Sequence, residues 1–95
     1  MKTINTVGVA GAGAMGRGIA QIAAQAGLRV RLFDTNVQAI AAAREALATT
    51  WATLTAKGKL TQEQADQALA NIHPAHELAA FADCDLVIEA IVERL

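Results

Sequence analysis

Short apolar runs alternate along the chain with longer stretches whose apolar residues recur every three or four positions, a succession that predicts strands alternating with helices. Val7, Val9 and Ala10 form the first run, which stops at Gly11-Ala12-Gly13-Ala14-Met15-Gly16 and reads as a buried strand entering a tight turn. From Ala14 to Ala26 the residues Met15, Ile19, Ile22, Ala23 and Ala26 recur at helical spacing, predicting a helix packed along that face, and Gly27 is placed to end it in a left-handed cap. Arg29 and Arg31 then alternate with Val30 and Leu32 ahead of Phe33 and Asp34, the pattern of a second strand with its arginines toward solvent.

Thr35 followed by Gln38 has the spacing of a capping box and predicts a long alanine-rich helix to about Lys57, with Val37, Ile40, Leu47, Trp51 and Leu54 on its buried stripe. Gly58 ends that helix. Thr61 with Gln64 repeats the capping pattern for another, whose buried face is Ala65, Ala68, Leu69 and Ile72, so the two helices form an antiparallel hairpin. Pro74 confines any third strand near Ile72 and His73 to a short one. Leu86-Val87-Ile88, a brief apolar run between Asp85 and Glu89, has the pattern of a strand covered on both faces of a parallel sheet.

Composition narrows the class. With 95 residues there is room for one domain at most, residues 1–95 being expected to form the N-terminal part of a dinucleotide-binding domain, and 54% hydrophobic against 18% charged residues excludes a disordered chain. A net charge of -1 and 3% aromatic residues supply neither a basic field nor stacking platforms, which argues against a nucleic-acid partner. No uncharged apolar run reaches the ~18 residues of a membrane span. Cys84 is the one cysteine, without metal-ligand spacing to another, and suits a reducing compartment; a cytoplasmic location is expected. His73 and His76, flanking Pro74, read as solvent-side residues.

The candidate chemistry lies in the glycine turn. A G-x-G-x-x-G string alone is weak, but here it follows a strand, opens a helix, and is followed by an acid, Asp34, near the ~20-residue separation of a dinucleotide-binding unit. Gly11 lets the chain turn sharply, Gly13 clears room for a diphosphate, and Gly16 lets the helix lie close to the strands. The free N–H groups of Ala14, Met15 and Gly16 then point at the phosphates, aided by the positive end of the helix dipole. Asp34 is suited to the 2'- and 3'-hydroxyls of the adenosine ribose and would repel a 2'-phosphate, so the expected cofactor is NAD. The predicted fold class is α/β, a partial Rossmann arrangement (doubly wound parallel sheet) with a helical hairpin inserted after the second strand.

Gly11-Ala12-Gly13-Ala14-Met15-Gly16-Arg17-Gly18-Ile19-Ala20-Gln21 resembles the 3-hydroxyacyl-CoA dehydrogenase family. So do Gly27 to Asp34, Lys57-Gly58-Lys59-Leu60-Thr61, and Asp83 to Ala90, in that family's order. The resemblance implies an oxidoreductase of acyl-CoA and fatty-acid metabolism that passes a hydride from the 3-hydroxyl of an acyl-CoA substrate to NAD. It places Gly11, Ala12, Gly13, Ala14, Met15, Gly16 and Asp34 at the ADP part, Ala90 and Glu93 near the nicotinamide, and Thr50 and Lys57 at CoA. Lys57 equally suits a cation at a helix C-terminus, and Thr50 an exposed helical position. The catalytic histidine, its glutamate partner and the C-terminal helical domain of the family are absent from this sequence, so no catalytic residue is assigned and the fragment alone is expected to be inactive. An open apolar edge at Leu86 to Ile88 would favour a homo-oligomer. A stand-alone NAD-binding or assembly module, and a related β-hydroxyacid dehydrogenase, are the alternatives.

Overall fold

Five consecutive buried residues, Thr6–Ala10, form the strand around which everything else is arranged. The computed structural model describes residues 4–90. In chain order these form β1 (Thr6–Ala10), α1 (Ala14–Gln25), β2 (Arg29–Phe33), α2 (Val37–Ala56), α3 (Gln62–Ala70), β3 (Ile72–Ala75), a 3-10 turn (Leu78–Phe81) and β4 (Leu86–Glu89). The sheet order is β3-β2-β1-β4 and each neighbouring pair is parallel. The chain therefore steps outward from β1 to β2 and β3, then returns to β1's other side. That reversal is the switch point of a doubly wound Rossmann sheet, where a crevice opens at the carboxyl ends of the strands.

One face of the sheet carries the core. Val7, Val9, Val30, Leu32 and Ile72 pack against Ala20, Ala23 and Ala24 of α1 and Ile40, Ala43, Leu47 and Trp51 of α2. Alanines on α1 let that helix approach the strands closely, as dense packing requires. The Trp51 indole N–H donates to Gln25 Oε1 at 2.8 Å, and Asn71 Nδ2 donates to the Ala24 carbonyl at 3.2 Å, tying the hairpin to α1. Thr61 and Gln64 form the expected capping box at the start of α3. Gly27 and Gly58 adopt the positive φ values, 89° and 73°, that ending a helix in a left-handed residue requires.

The opposite face is crossed by the 3-10 turn. Phe81 lies against Gly8, where an added methyl would come within 2.9 Å of its ring, and meets Phe33 edge-on at a centroid distance of 6.2 Å. Arg31, expected in solvent, instead donates to the Ala80 carbonyl at 2.6 Å and forms a two-armed pair with Asp83, because its side of β2 faces the turn. Its hydrogen bond keeps the Asp83 carboxyl below the usual carboxylate range.

Several local expectations are corrected. Met15 (56% exposed), Ile22 (74%) and Ala26 lie on the outer side of α1, which buries Gly16, Ala20, Ala23 and Ala24 instead. Asn36, not Thr35, caps α2 by accepting the Gln38 N–H, which leaves Val37 exposed in the first turn. Ile72 belongs to β3 rather than to the face of α3, and Pro74 sits in the same strand, tolerated because β3 is an edge. Leu86 and Val87 are 42% and 45% exposed rather than covered, since β4 has only β1 beside it among the described residues.

Candidate functional site

The glycine turn leaves β1 at the carboxyl end of the sheet. Gly11 has φ 117°, a conformation that favours glycine, and its N–H donates to the Phe33 carbonyl at 2.7 Å, binding the turn to the end of β2. At Gly16 an added methyl would overlap the Gly11 carbonyl oxygen and stand 2.8 Å from the carbonyl carbon, with Val9 Cγ1 at 3.3 Å behind it. The start of α1 thus touches the turn backbone. Gly13, the N-cap of α1, is different: a methyl there would meet nothing within 4 Å.

The first helical hydrogen bond of α1 runs from the Arg17 N–H to the Gly13 carbonyl at 2.9 Å. The N–H groups of Ala14, Met15 and Gly16 precede that ladder and lie at the positive end of the helix dipole. Ala14 and Met15 are exposed, whereas Ala12 and Gly16 are buried. Open space at Gly13, uncommitted donors beside it and no acidic residue in the first turn of α1 fit the diphosphate of a dinucleotide.

Asp34, just past β2, stands at the same end of the sheet and bonds directly to the turn. Its Oδ2 accepts the Ala12 N–H at 2.9 Å and its Oδ1 accepts the Asn36 N–H at 2.8 Å. The Ala12 bond, then the Asn36 bond, hold this carboxyl below its ordinary value, so it is ionised at neutral pH. A carboxylate has about four lone-pair positions, so each oxygen retains capacity for a ligand hydroxyl. Its bonds to the backbone and a ligand role are compatible here. The Ala12 bond had no sequence signal; the Asn36 bond did, since an acid commonly bonds its backbone two residues on.

Ala90, which belongs to the buried core, follows β4 on the other side of β1. It is 5% exposed and its N–H donates to the Ala10 carbonyl at 2.8 Å, which sets it beside the exit of β1. Glu93 lies outside the described residues. Thr50 and Lys57 are not brought to the turn. Thr50 lies on α2 and Lys57 just past its end, and the 20 residues of that helix run about 30 Å away from the Asp34 end. Thr50 Oγ1 donates to the Ala46 carbonyl at 3.0 Å, and exposed Lys57 is the C-cap, two turns further along the same face. A separate half-open cleft of about 180 Å³ between α2 and α3 is lined by Ala48, Trp51, Gln62 and Asp66, and includes no residue of the glycine turn. The glycine turn and Asp34 stand at the open sheet end, away from this cleft. His73 and His76 are exposed, on and just after β3, two strands from the crevice between β1 and β4.

Residues 6–95 match the family model described as 3-hydroxyacyl-CoA dehydrogenase, NAD binding domain. The 3-hydroxyadipyl-CoA dehydrogenase of Escherichia coli is 39% identical over 95 residues, covering 100% of this chain and 20% of that protein. The 3-hydroxybutyryl-CoA dehydrogenase of Bradyrhizobium diazoefficiens is 42% identical over 91 residues, covering 96% of this chain and 31% of that protein. A crystal structure of 3-hydroxybutyryl-CoA dehydrogenase from Escherichia coli superimposes with a TM-score of 0.94 at 38% identity, over 98% of this chain and 20% of the other. The chain thus spans between a fifth and a third of the length of these relatives.

Proposed function

The chain belongs to the 3-hydroxyacyl-CoA dehydrogenase family through its NAD-binding domain, and from that premise we propose that Gly11, Ala12, Gly13, Ala14, Met15 and Gly16 cradle the diphosphate of NAD while Asp34 takes the adenosine ribose hydroxyls. The observation that carries this reading is the placement of Asp34 within hydrogen-bond distance of the turn itself, at 2.9 Å from the Ala12 nitrogen. Ala90, beside β1's exit, and Glu93 are assigned to the nicotinamide side. When bound, NAD supplies the carbon that accepts a hydride.

The activity proposed for the longer protein is oxidation of the 3-hydroxyl of an acyl-CoA, with Thr50 and Lys57 on one face of α2 as CoA contacts. Both described histidines lie at the far edge of the sheet, so no imidazole faces the crevice among the described residues. The property expected of the 95-residue chain itself is NAD binding. The match to the acyl-CoA family sets aside the β-hydroxyacid dehydrogenase alternative. Among the described residues no helix is long and apolar enough to cross a membrane. A lone free thiol at Cys84 supports a reducing compartment such as the cytoplasm.

Titration calorimetry with NAD and ADP-ribose tests the reading. Comparable affinities are expected, because the described site grips the adenosine half, and Asp34→Ala should weaken both by about tenfold, the loss of a charge-assisted hydrogen bond. Unchanged affinity in that variant would remove Asp34 from the site. A homo-oligomer is a further expectation: among the described residues β4 pairs with β1 alone, with Leu86 and Val87 nearly half exposed, and invites strand pairing between copies. Light scattering over a concentration series should show mass rising above 9.9 kDa, and a constant monomer mass would refute it.

A further inference from the structure

The carboxylate of Asp34 is engaged before any ligand arrives. Its Oδ2 holds the N–H of Ala12, a residue only 4% exposed in the middle of the glycine turn, and its Oδ1 holds the Asn36 N–H. The preceding peptide of the turn is held too, by the Gly11 N–H bond to Phe33. Gly11 and Ala12 are thus fastened to the end of β2 by two successive N–H bonds, and Gly16 rests on the Gly11 carbonyl. Where the turn sits determines where the N–H groups at the start of α1 point, because there is no slack between Gly11 and Gly16.

We infer that Asp34 is a positioning residue for the diphosphate grip, acting through the Ala12 N–H, in addition to reading the ribose. This rests on the dinucleotide reading given above. Two roles for one carboxylate predict opposite signs for a nucleotide without ribose hydroxyls. A group that only reads the sugar has nothing to bond in such a ligand, and removing its negative charge near the phosphates would leave binding unchanged or improve it. A group that holds the turn is needed whether or not the hydroxyls are present.

The test compares ADP with 2',3'-dideoxy-ADP by calorimetry on the wild-type chain, Asp34→Ala and Asp34→Asn, and measures Ala12 amide exchange by NMR without nucleotide. Asp34→Ala should weaken 2',3'-dideoxy-ADP by about tenfold, and Asp34→Asn, which keeps one acceptor oxygen, by less. Ala12 exchange should accelerate at least about tenfold in Asp34→Ala while the Val7 and Val9 amides of β1 keep their protection, separating a loosened turn from an unfolded domain. Equal or tighter 2',3'-dideoxy-ADP binding in Asp34→Ala, or unaltered Ala12 exchange, overturns the inference. Should the wild-type chain bind no ADP, the dinucleotide reading fails, and Ala12 exchange still decides whether Asp34 holds the turn.

Discussion

Gly16→Ala is expected to abolish measurable NAD binding and to destabilise the domain by about 1–3 kcal/mol, the usual cost of overpacking, with the upper end favoured here. The new methyl overlaps the Gly11 carbonyl oxygen and has backbone, not a flexible side chain, as its neighbour. That backbone has little freedom to retreat, since Gly11 sits at φ 117° with its N–H bonded to Phe33 and the next N–H bonded to Asp34. Alanine's better helix propensity returns only about 0.5–1 kcal/mol, so the clash wins. Gly13→Ala supplies the control. Nothing lies within 4 Å of that methyl, so stability should fall by no more than about 1 kcal/mol, the difference between glycine and alanine as N-cap. NAD affinity should nonetheless drop at least about tenfold, because the methyl enters the space assigned to the diphosphate. Urea unfolding followed by circular dichroism, with calorimetry on the same samples, separates the two effects. A Gly13→Ala variant that binds NAD normally would contradict the assignment of that space, and a fully stable Gly16→Ala would contradict the geometry of the turn.

Trp51→Ala should cost about 3–5 kcal/mol, the range for truncating a buried large aromatic. A chain of this size has a total stability of roughly 5–14 kcal/mol, so the variant approaches the unfolding threshold. Trp51 is 1% exposed and ties α2 to α1: its ring lies in the core beside the cleft between α2 and α3, and its N–H reaches Gln25 on α1. Gln25→Ala tests the hydrogen bond separately. It leaves the ring in place but strands the indole N–H, and about 1–3 kcal/mol is expected if water cannot reach it. Urea midpoints by circular dichroism measure both. A loss below about 1 kcal/mol for Trp51→Ala would show that the hairpin is not held to the sheet through this residue.

Much of the site is legible in the sequence because its signals are local and chemical. The turn needs glycine where φ is positive at Gly11 and where backbone touches backbone at Gly16, and helix starts need the acceptor groups that Thr61 and Gln64 provide. Asp34 was legible from its position after the second apolar run. Its bond to Ala12 was not, because it joins residues 22 apart in the chain and depends on how β1 and β2 are set in register.

Residue order and type alone determined the succession of strands and helices, the glycine turn, the acid that follows it, and the helix ends at Gly27 and Gly58. Only the tertiary structure decided what each face meets. Periodicity groups Met15 with Ile22 on α1, but the sheet takes the alanine side of that helix and leaves both exposed. An alternating strand pattern turns Arg31 away from the core, but the 3-10 turn crossing that side gives it Asp83 and Ala80 as partners in place of water. Leu86 and Val87 are apolar whatever surrounds them, yet how much of them is covered follows from β4 having one neighbour, β1, in the described sheet. A sequence pattern reports which side chains share a surface; what covers that surface depends on contacts between distant segments, which form only when the chain is folded.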